Sequence, residues 1–374
     1  MGSPTRQLIL KVHSRCNLSC DYCYVYESID QSWREQPNTI AAATVDRLAE
    51  RIDEHARRHD LRELEVVLHG GEPLMAGHDV LAATLGKIRA AFPATRFAIQ
   101  TNGILLDDRF LELFHEYGVR VGVSVDGGPA ATDRHRRYAN GRGSYDRISA
   151  GIARLMEPAH TGIYGGLLCT IDVRNDPGEV FEALLAFRPP RIDLLLPHGN
   201  WTTPPPDRER PLAYGNWLIQ VFDRWYDHRP AETNTRIRLF ESIIARLFGR
   251  PSHTETIGGE RPGIVTVETD GSYEQSDALK TTTEGGPATG LTVGGQSLDE
   301  LLDYLAVAAP YRLSAKCQAC PVVQVCGGGL RAHRYSAENG FDNPSVYCDD
   351  LLTLINHIAS RVRADLAQAA AAGR

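Results

Sequence analysis

Three cysteines, Cys16, Cys20 and Cys23, stand on one short stretch directly after the first apolar, β-branched run, residues 8–13. Three thiolates on a single loop can hold three irons of a 4Fe–4S cluster and leave the fourth iron without a protein ligand. An open coordination position is what a catalytic metal site needs, whereas a structural site is closed. The alternative is a zinc site completed by His13 or a distant ligand. Zinc loops usually place two residues between paired cysteines, and the first gap here holds three. A second set, Cys317, Cys320, Cys326 and Cys348, supplies four thiols. Four can close an iron–sulfur cluster or a zinc site, and spacing alone does not choose between them. The remaining cysteine, Cys169, lies in an apolar run and reads as an inert core residue.

The chain that must position these thiols has 374 residues, 42% of them hydrophobic, and a formal net charge of −7. Its length suits one large α/β domain and a smaller appendage. The acidic balance argues against a nucleic-acid binder. No apolar run reaches the length of a membrane span. Residues 1–6 are polar and lack the apolar core of a signal peptide, so a cytoplasmic location is expected. Clustered thiols in a large chain without an export signal read as metal ligands rather than disulfides.

Strand candidates are residues 8–13, 64–69, 96–101, 119–125, 164–171 and 192–196, rich in β-branched and aliphatic side chains. Helical spacing is predicted over 41–58, 80–91, 108–117, 145–156 and 178–187. Six alternations imply a parallel sheet with crossover helices, either a partial barrel or an open doubly wound sheet. Residues 201–210, with Pro204, Pro205 and Pro206 in succession, read as a surface loop. Helices are predicted over 212–228 and 235–248, a hairpin around Asp270–Gly271, and helices over 298–306 and from 349 to about 370. The domain boundary is placed near Asn234, dividing 1–234 from 235–374.

Motifs stand at successive strand ends, the face where a parallel barrel carries its site. His69-Gly70-Gly71-Glu72-Pro73 follows the second strand, Gln100-Thr101-Asn102-Gly103 the third, and Ser124-Val125-Asp126-Gly127 the fourth, with Asp133 and Arg136 just beyond. The two glycines would let the backbone approach a ligand. Three cysteines spaced by three and two residues, with Tyr22 before the last, resemble the signature of radical S-adenosylmethionine (SAM) enzymes. The likeness runs from Leu8 to Leu196 and implies a partial (β/α)6 TIM-type barrel. It implies that the open iron binds SAM, whose reductive cleavage yields a 5′-deoxyadenosyl radical. It further implies cofactor contacts from Tyr22, Gly70, Gly71, Glu72, Pro73, Asn102, Ser124, Asp126, Arg136 and Leu195. Many relatives carry His where this chain has Thr132, and no role is assigned there.

The second thiol set resembles the SPASM extension of radical SAM enzymes that modify peptides. That likeness implies one auxiliary 4Fe–4S cluster on Cys317, Cys320, Cys326 and Cys348. A further auxiliary site is expected to be lost, since Ser276 and Leu330 stand where cysteines are needed. Residues 267–280 and 326–348 resemble the FxsB group of maturases, whose members and neighbours make three-residue cyclophanes. The implied reaction joins an aromatic ring carbon to the β-carbon of a nearby residue in a ribosomal precursor peptide. An electron donor such as a flavodoxin or ferredoxin is implied too. Asp277 is the candidate base and Glu274 a weaker one; the plainer reading is that Asp277 caps a turn or pairs with Lys280. His333 and Arg334 are candidate donors to the auxiliary sulfurs. With no room before Leu8 for a leader-binding domain, the precursor is expected to bind directly, by adding a strand to a sheet edge. The alternatives are another radical SAM modification (thioether, formylglycine or epimerisation) and, of another class, a zinc-binding interaction protein.

Overall fold

A computed structural model describes residues 4–227, 235–259 and 264–372. The strands are β1 (Gln7–His13), β2 (Leu64–Gly70), β3 (Thr95–Thr101), β4 (Arg120–Ser124), β5 (Tyr164–Thr170), β6 (Arg191–Leu195), β7 (Arg236–Ile237), β8 (Ile264–Val267), β9 (Ser272–Glu274) and β10 (Ala288–Thr292). The helices are α1 (Ala42–Arg58), α2 (His78–Ala91), α3 (Asp108–Tyr117), α4 (Pro129–His135), α5 (Tyr145–Leu155), α6 (Pro177–Leu185), α7 (Ala213–Asp227), α8 (Arg238–Leu247), α9 (Leu298–Ala308), α10 (Ala315–Gln318), α11 (Val323–Cys326) and α12 (Cys348–Ala372). The chain divides into two compact units. One holds residues 4–125, 132–167 and 264–311, and the other holds 126–131, 168–259 and 312–372. The boundary expected at Asn234 lies outside the described residues.

In the first unit the strands run in the order β10-β9-β8-β1-β2-β3-β4-β5. β1 to β4 are parallel and neighbour one another in sequence order, without the reversal that defines a doubly wound sheet. β1 lies inside the sheet, and Leu8, Leu10 and Val12 are fully buried, as a parallel strand covered on both faces requires. The crossover helices follow from apolar spacing. Val45, Leu48, Ala49, Ile52 and Ala56 form the buried stripe of α1. Asp107 caps α3 by accepting from the Phe110 amide, and Gly118 ends it in the left-handed conformation. The predicted hairpin is present as β8 and β9. It was expected in the C-terminal part, but β8 pairs parallel with β1, Leu10 opposite Val267, and so belongs to the first unit.

In the second unit β6 and β7 pair in parallel, and α12 packs on α7 and α8. Phe222 centres an aromatic core with Trp225, Tyr226, Phe240 and His357. The helix expected over 235–248 starts only at Arg238, because Ile237 is buried as a strand residue pairing with Ile192. Residues 201–210 carry no helix or strand; Trp201 pins them by donating from its amide to Tyr335 O at 2.9 Å and from its indole to Pro344 O at 2.8 Å. No described helix is long and apolar enough to cross a membrane.

Candidate active site

The first cysteine loop is anchored through backbone. The amides of Gly71 and Glu72 donate to His13 O and Arg15 O at 2.9 and 3.0 Å, lacing the end of β2 to the start of the loop. This explains the two glycines. A Cβ on Gly70, whose φ is +137°, would sit 2.0 Å from the His13 carbonyl oxygen. One on Gly71 would sit 1.9 Å from the Tyr26 hydroxyl and 2.5 Å from the Arg15 backbone. The close approach predicted for a ligand is here made by the cysteine loop itself.

Glu72 is fully buried, and its oxygens accept from Thr101 Oγ1 at 2.7 Å, Asn102 N at 2.8 Å and Leu74 N at 3.0 Å. Burial raises its carboxyl and these three donors limit the rise, leaving it at about 6. It is therefore ionised at neutral pH, and its carboxylate ties the end of β3 to the turn that Pro73 opens. Glu72→Gln would turn an amide against one of these donors. It is expected to destabilise the fold by about 1–3 kcal/mol in chemical denaturation; an unchanged midpoint would show that the clamp carries no load.

Asn102 reaches the same loop, donating from Nδ2 to Asn17 Oδ1 at 2.7 Å and lying 3.9 Å from Cys16 Sγ. The Arg136 guanidinium lies 5.6 Å from the centre of the Tyr22 ring. Arg136 is buried rather than part of a solvated basic face. Ser124 accepts from Gln100 Nε2 at 2.9 Å. Asp133 is occupied structurally, accepting from the Ser144 and Tyr145 amides at 2.7 and 2.8 Å at the start of α5. Asp126 and Leu195 belong to the second unit. There Asp126 is buried and accepts from Thr170 N at 3.0 Å, and Leu195 ends β6 half-buried.

Cys16, Cys20 and Cys23 form no disulfide and are partly exposed. Burial pushes the Cys16 thiol up to about 12, and the neighbouring Cys20 and Cys23 add to the rise. Thiols that crowd one another in a partly dry pocket gain from a cation that takes them as thiolates, so this donor set fits an iron–sulfur cluster. The second set fits in the same way. Cys317 lies on α10, Cys326 ends α11 and Cys348 opens α12. Burial raises Cys326 to about 11, with Cys348, Cys317 and Cys320 adding to it. Gly327 is required at the end of α11, since a Cβ there would meet the Gly259 nitrogen at 1.9 Å. Cys169 is buried, as expected of a core thiol.

The two predicted sulfur donors part company. Arg334 is buried, and its guanidinium donates to the carbonyls of Asn343 at 3.1 Å, Phe341 at 2.9 Å and Arg312. It braces the loops around the second thiol set. His333 packs against Tyr347 and His198 with ring centres 5.0 and 5.6 Å away, and neither ring nitrogen has a hydrogen-bond partner.

A buried cluster of charge stands where β1, β2, β8 and β9 meet. The Asp277 Oδ2 lies 2.9 Å from Lys11 Nζ and accepts from the Tyr24 hydroxyl at 3.5 Å, while its Oδ1 is buried without a hydrogen-bond partner. Burial would raise this carboxyl, but the Lys11 and Lys280 ammonium groups outweigh it and hold Asp277 below the usual carboxylate range. Lys280 pairs not with Asp277 but with Glu274 at 3.0 Å, Glu268 at 3.3 Å and Asp30 at 3.6 Å. Glu274 is pushed up to about 8, by burial first and then by Glu268, and so keeps its proton at neutral pH. Lys11, Glu268, Lys280 and Asp30 were not legible as site residues, because only the distant pairing of β8 with β1 assembles them.

Residues 10–166 match the radical SAM superfamily. They form a radical SAM domain. A serine-type anaerobic sulfatase-maturating enzyme of Klebsiella pneumoniae is 27% identical over 354 residues, covering 90% of this chain and 84% of that one. The solved structure of native anSMEcpe with bound AdoMet matches with a TM-score of 0.79 at 19% identity, covering 95% of this chain and 97% of that one. Streptococcus suis SuiB bound to precursor peptide SuiA matches with a TM-score of 0.61 at 14% identity, covering 91% and 75%. The match of residues 10–166 to that superfamily assigns 4Fe–4S and SAM as cofactors, and the chain has the α/β fold with a parallel sheet seen in those structures.

Proposed function

We propose that this radical SAM enzyme oxidises a side chain within a ribosomally made peptide or protein, with Asp277 as the base. The observation that carries the reading is the geometry of the Asp277 carboxylate, 11% exposed and held through Oδ2, with Oδ1 lacking a donor. Such an oxygen is poised to take a proton. In this reading Cys16, Cys20 and Cys23 hold the SAM cluster, and Cys317, Cys320, Cys326 and Cys348 hold one auxiliary cluster. Tyr22, Gly70, Gly71, Pro73, Asn102, Ser124 and Arg136 of the first unit would line the SAM site, with Glu72 fixing the strand ends; Asp126 and Leu195 are SAM contacts by the same resemblance. Bound there, the cofactors supply the one-electron chemistry that removes a hydrogen atom from the substrate. The protein's part is to orient the substrate, exclude water and accept the proton. A small electron carrier completes the system, and the setting is the cytoplasm.

The product is a three-residue cyclophane in the leading reading, supported by the likeness of residues 267–280 and 326–348 to cyclophane-forming maturases. Formation of the ring-to-β-carbon bond would release two hydrogens, the first as an atom to the 5′-deoxyadenosyl radical that bound SAM would supply, the second as a proton and an electron from the aromatic ring, with the electron passing to the auxiliary cluster that Cys317, Cys320, Cys326 and Cys348 would hold. Asp277 takes that proton. A second reading, formylglycine formation, is supported by the named sulfatase-maturating relatives, which align along most of the chain. The precursor would lie along the sheet edge, where β10 ends the strand order of the first unit.

The test is mass spectrometry of a precursor peptide encoded beside this gene after anaerobic incubation with the reconstituted enzyme, SAM and reductant. Loss of two hydrogens, a crosslinked fragment pattern and no reaction with a hydrazide are expected. A hydrazide-reactive aldehyde would establish the second reading. An unmodified peptide alongside steady 5′-deoxyadenosine formation would contradict the assignment of that peptide as substrate.

A further inference from the structure

Lys11 is an unexpected residue for its place. It sits on an interior strand among Leu8, Leu10 and Val12, paired in register with His69 of β2, and its side chain is 3% exposed. A buried ammonium carries a large desolvation cost, and replacing a buried ion pair by apolar side chains is often neutral or stabilising. The fold therefore does not itself call for a lysine here. What the lysine does is set by its partners. Glu268 Oε1 stands 3.2 Å from Lys11 and 3.3 Å from Lys280. Glu274 and Asp30 lie against Lys280. Lys280 thus answers the carboxylates on its side, and Lys11 is left facing Asp277 at 2.9 Å. Its ammonium and the Tyr24 hydroxyl both address Oδ2, so Oδ1 stays open.

We propose that Lys11 is the positioning residue of this site, fixing the Asp277 carboxylate through Oδ2, keeping it ionised and presenting Oδ1 to the substrate proton. This rests on the reading of Asp277 as the base. The charged and titratable groups around Asp277 are Lys11 on β1, Tyr24 in the cysteine loop, Asp30, His69 on β2, Glu268 after β8, Glu274 on β9 and Lys280. Burial and the Lys11 charge push His69 down to about 4, so it is neutral beside Lys11 at neutral pH. Lys280 is taken up by Glu268, Asp30 and the protonated Glu274. With Lys11 gone, Asp277 would face Glu268 with no ammonium of its own.

The experiment is infrared difference spectroscopy of the reconstituted full-length enzyme, titrated with acid, with Asp277→Asn used to assign the Asp277 carboxylic-acid band. In the wild type that band should appear only well into the acid range. In Lys11→Gln it should appear about 1 to 3 pH units higher, the shift expected on losing an adjacent opposite charge. Lys11→Arg should restore the wild-type titration. The acid limb of the peptide-product rate should move by the same amount in Lys11→Gln. Titration of Asp277 unchanged in Lys11→Gln, or an Arg variant that behaves like the Gln variant, would overturn the proposal. Iron content and circular dichroism show whether each variant folds, and the Arg variant carries the test if the Gln variant does not. Failure of the base reading looks different: Asp277→Asn would still make product, while the Lys11-dependent shift of the band would persist.

Discussion

Replacing Cys16, Cys20 and Cys23 together by Ala is expected to abolish 5′-deoxyadenosine formation and to remove about four of the bound irons, the content of one 4Fe–4S cluster. The fold should survive. The loop is tied down by backbone bonds, Gly71 N to His13 O, Glu72 N to Arg15 O and Ser19 N to Arg137 O, none of which involves a cysteine side chain. Chromatography of the anaerobic reaction and an iron assay read both effects. Residual 5′-deoxyadenosine at the wild-type rate would contradict the assignment of these three thiols. Equal loss of iron from both sets would show instead that the variant had unfolded.

Asp277→Asn is expected to lower peptide-product formation by about 10²–10⁴, the usual contribution of a positioned general base. Cleavage of SAM should continue, so 5′-deoxyadenosine accumulates without matching product. The substitution keeps the shape of the side chain but removes its charge. Lys11 retains Glu268 at 3.2 Å, so the buried ammonium is not abandoned. The pH dependence follows from the sign of the shift. The carboxyl is held below its ordinary range, so it is ionised at neutral pH and the base form is lost only as pH falls through that lowered value. Any stability from the Lys11 pair likewise is present above the unfolded carboxyl's value, near 3.9, and disappears below it. Unchanged product formation in Asp277→Asn would reduce Asp277 to a counter-ion for Lys11.

The parts legible in the sequence were those written locally. The thiol spacing, the motifs at successive strand ends and the amphipathic helices each need only a short window. The residues that turn these into a site are long-range. Lys11 reads alone as an ordinary strand lysine, and Glu268 lies 257 residues away from it in the chain. Nothing short of the β1–β8 pairing brings them together. The pairing of Asp277 with Lys280, a plain sequence expectation, gave way because the turn of residues 277–281 aims Lys280 at Glu274 and Asp30. The glycines of the His69–Pro73 motif were recognised as points of close approach, and the structure shows that they admit the cysteine loop. β7 and α4 were missed because two and seven residues carry too little periodicity to stand out.

The proposed chemistry depends on an iron–sulfur cluster on Cys16, Cys20 and Cys23 with one iron open to SAM. It is tested most directly by electron paramagnetic resonance of the reduced, reconstituted enzyme in which Cys317, Cys320, Cys326 and Cys348 are replaced by Ser. The predicted result is a reduced 4Fe–4S signal whose shape changes on adding SAM and which is absent when Cys16, Cys20 and Cys23 are also replaced. A signal indifferent to SAM, or a protein holding zinc and no cluster iron at these thiols, would contradict it.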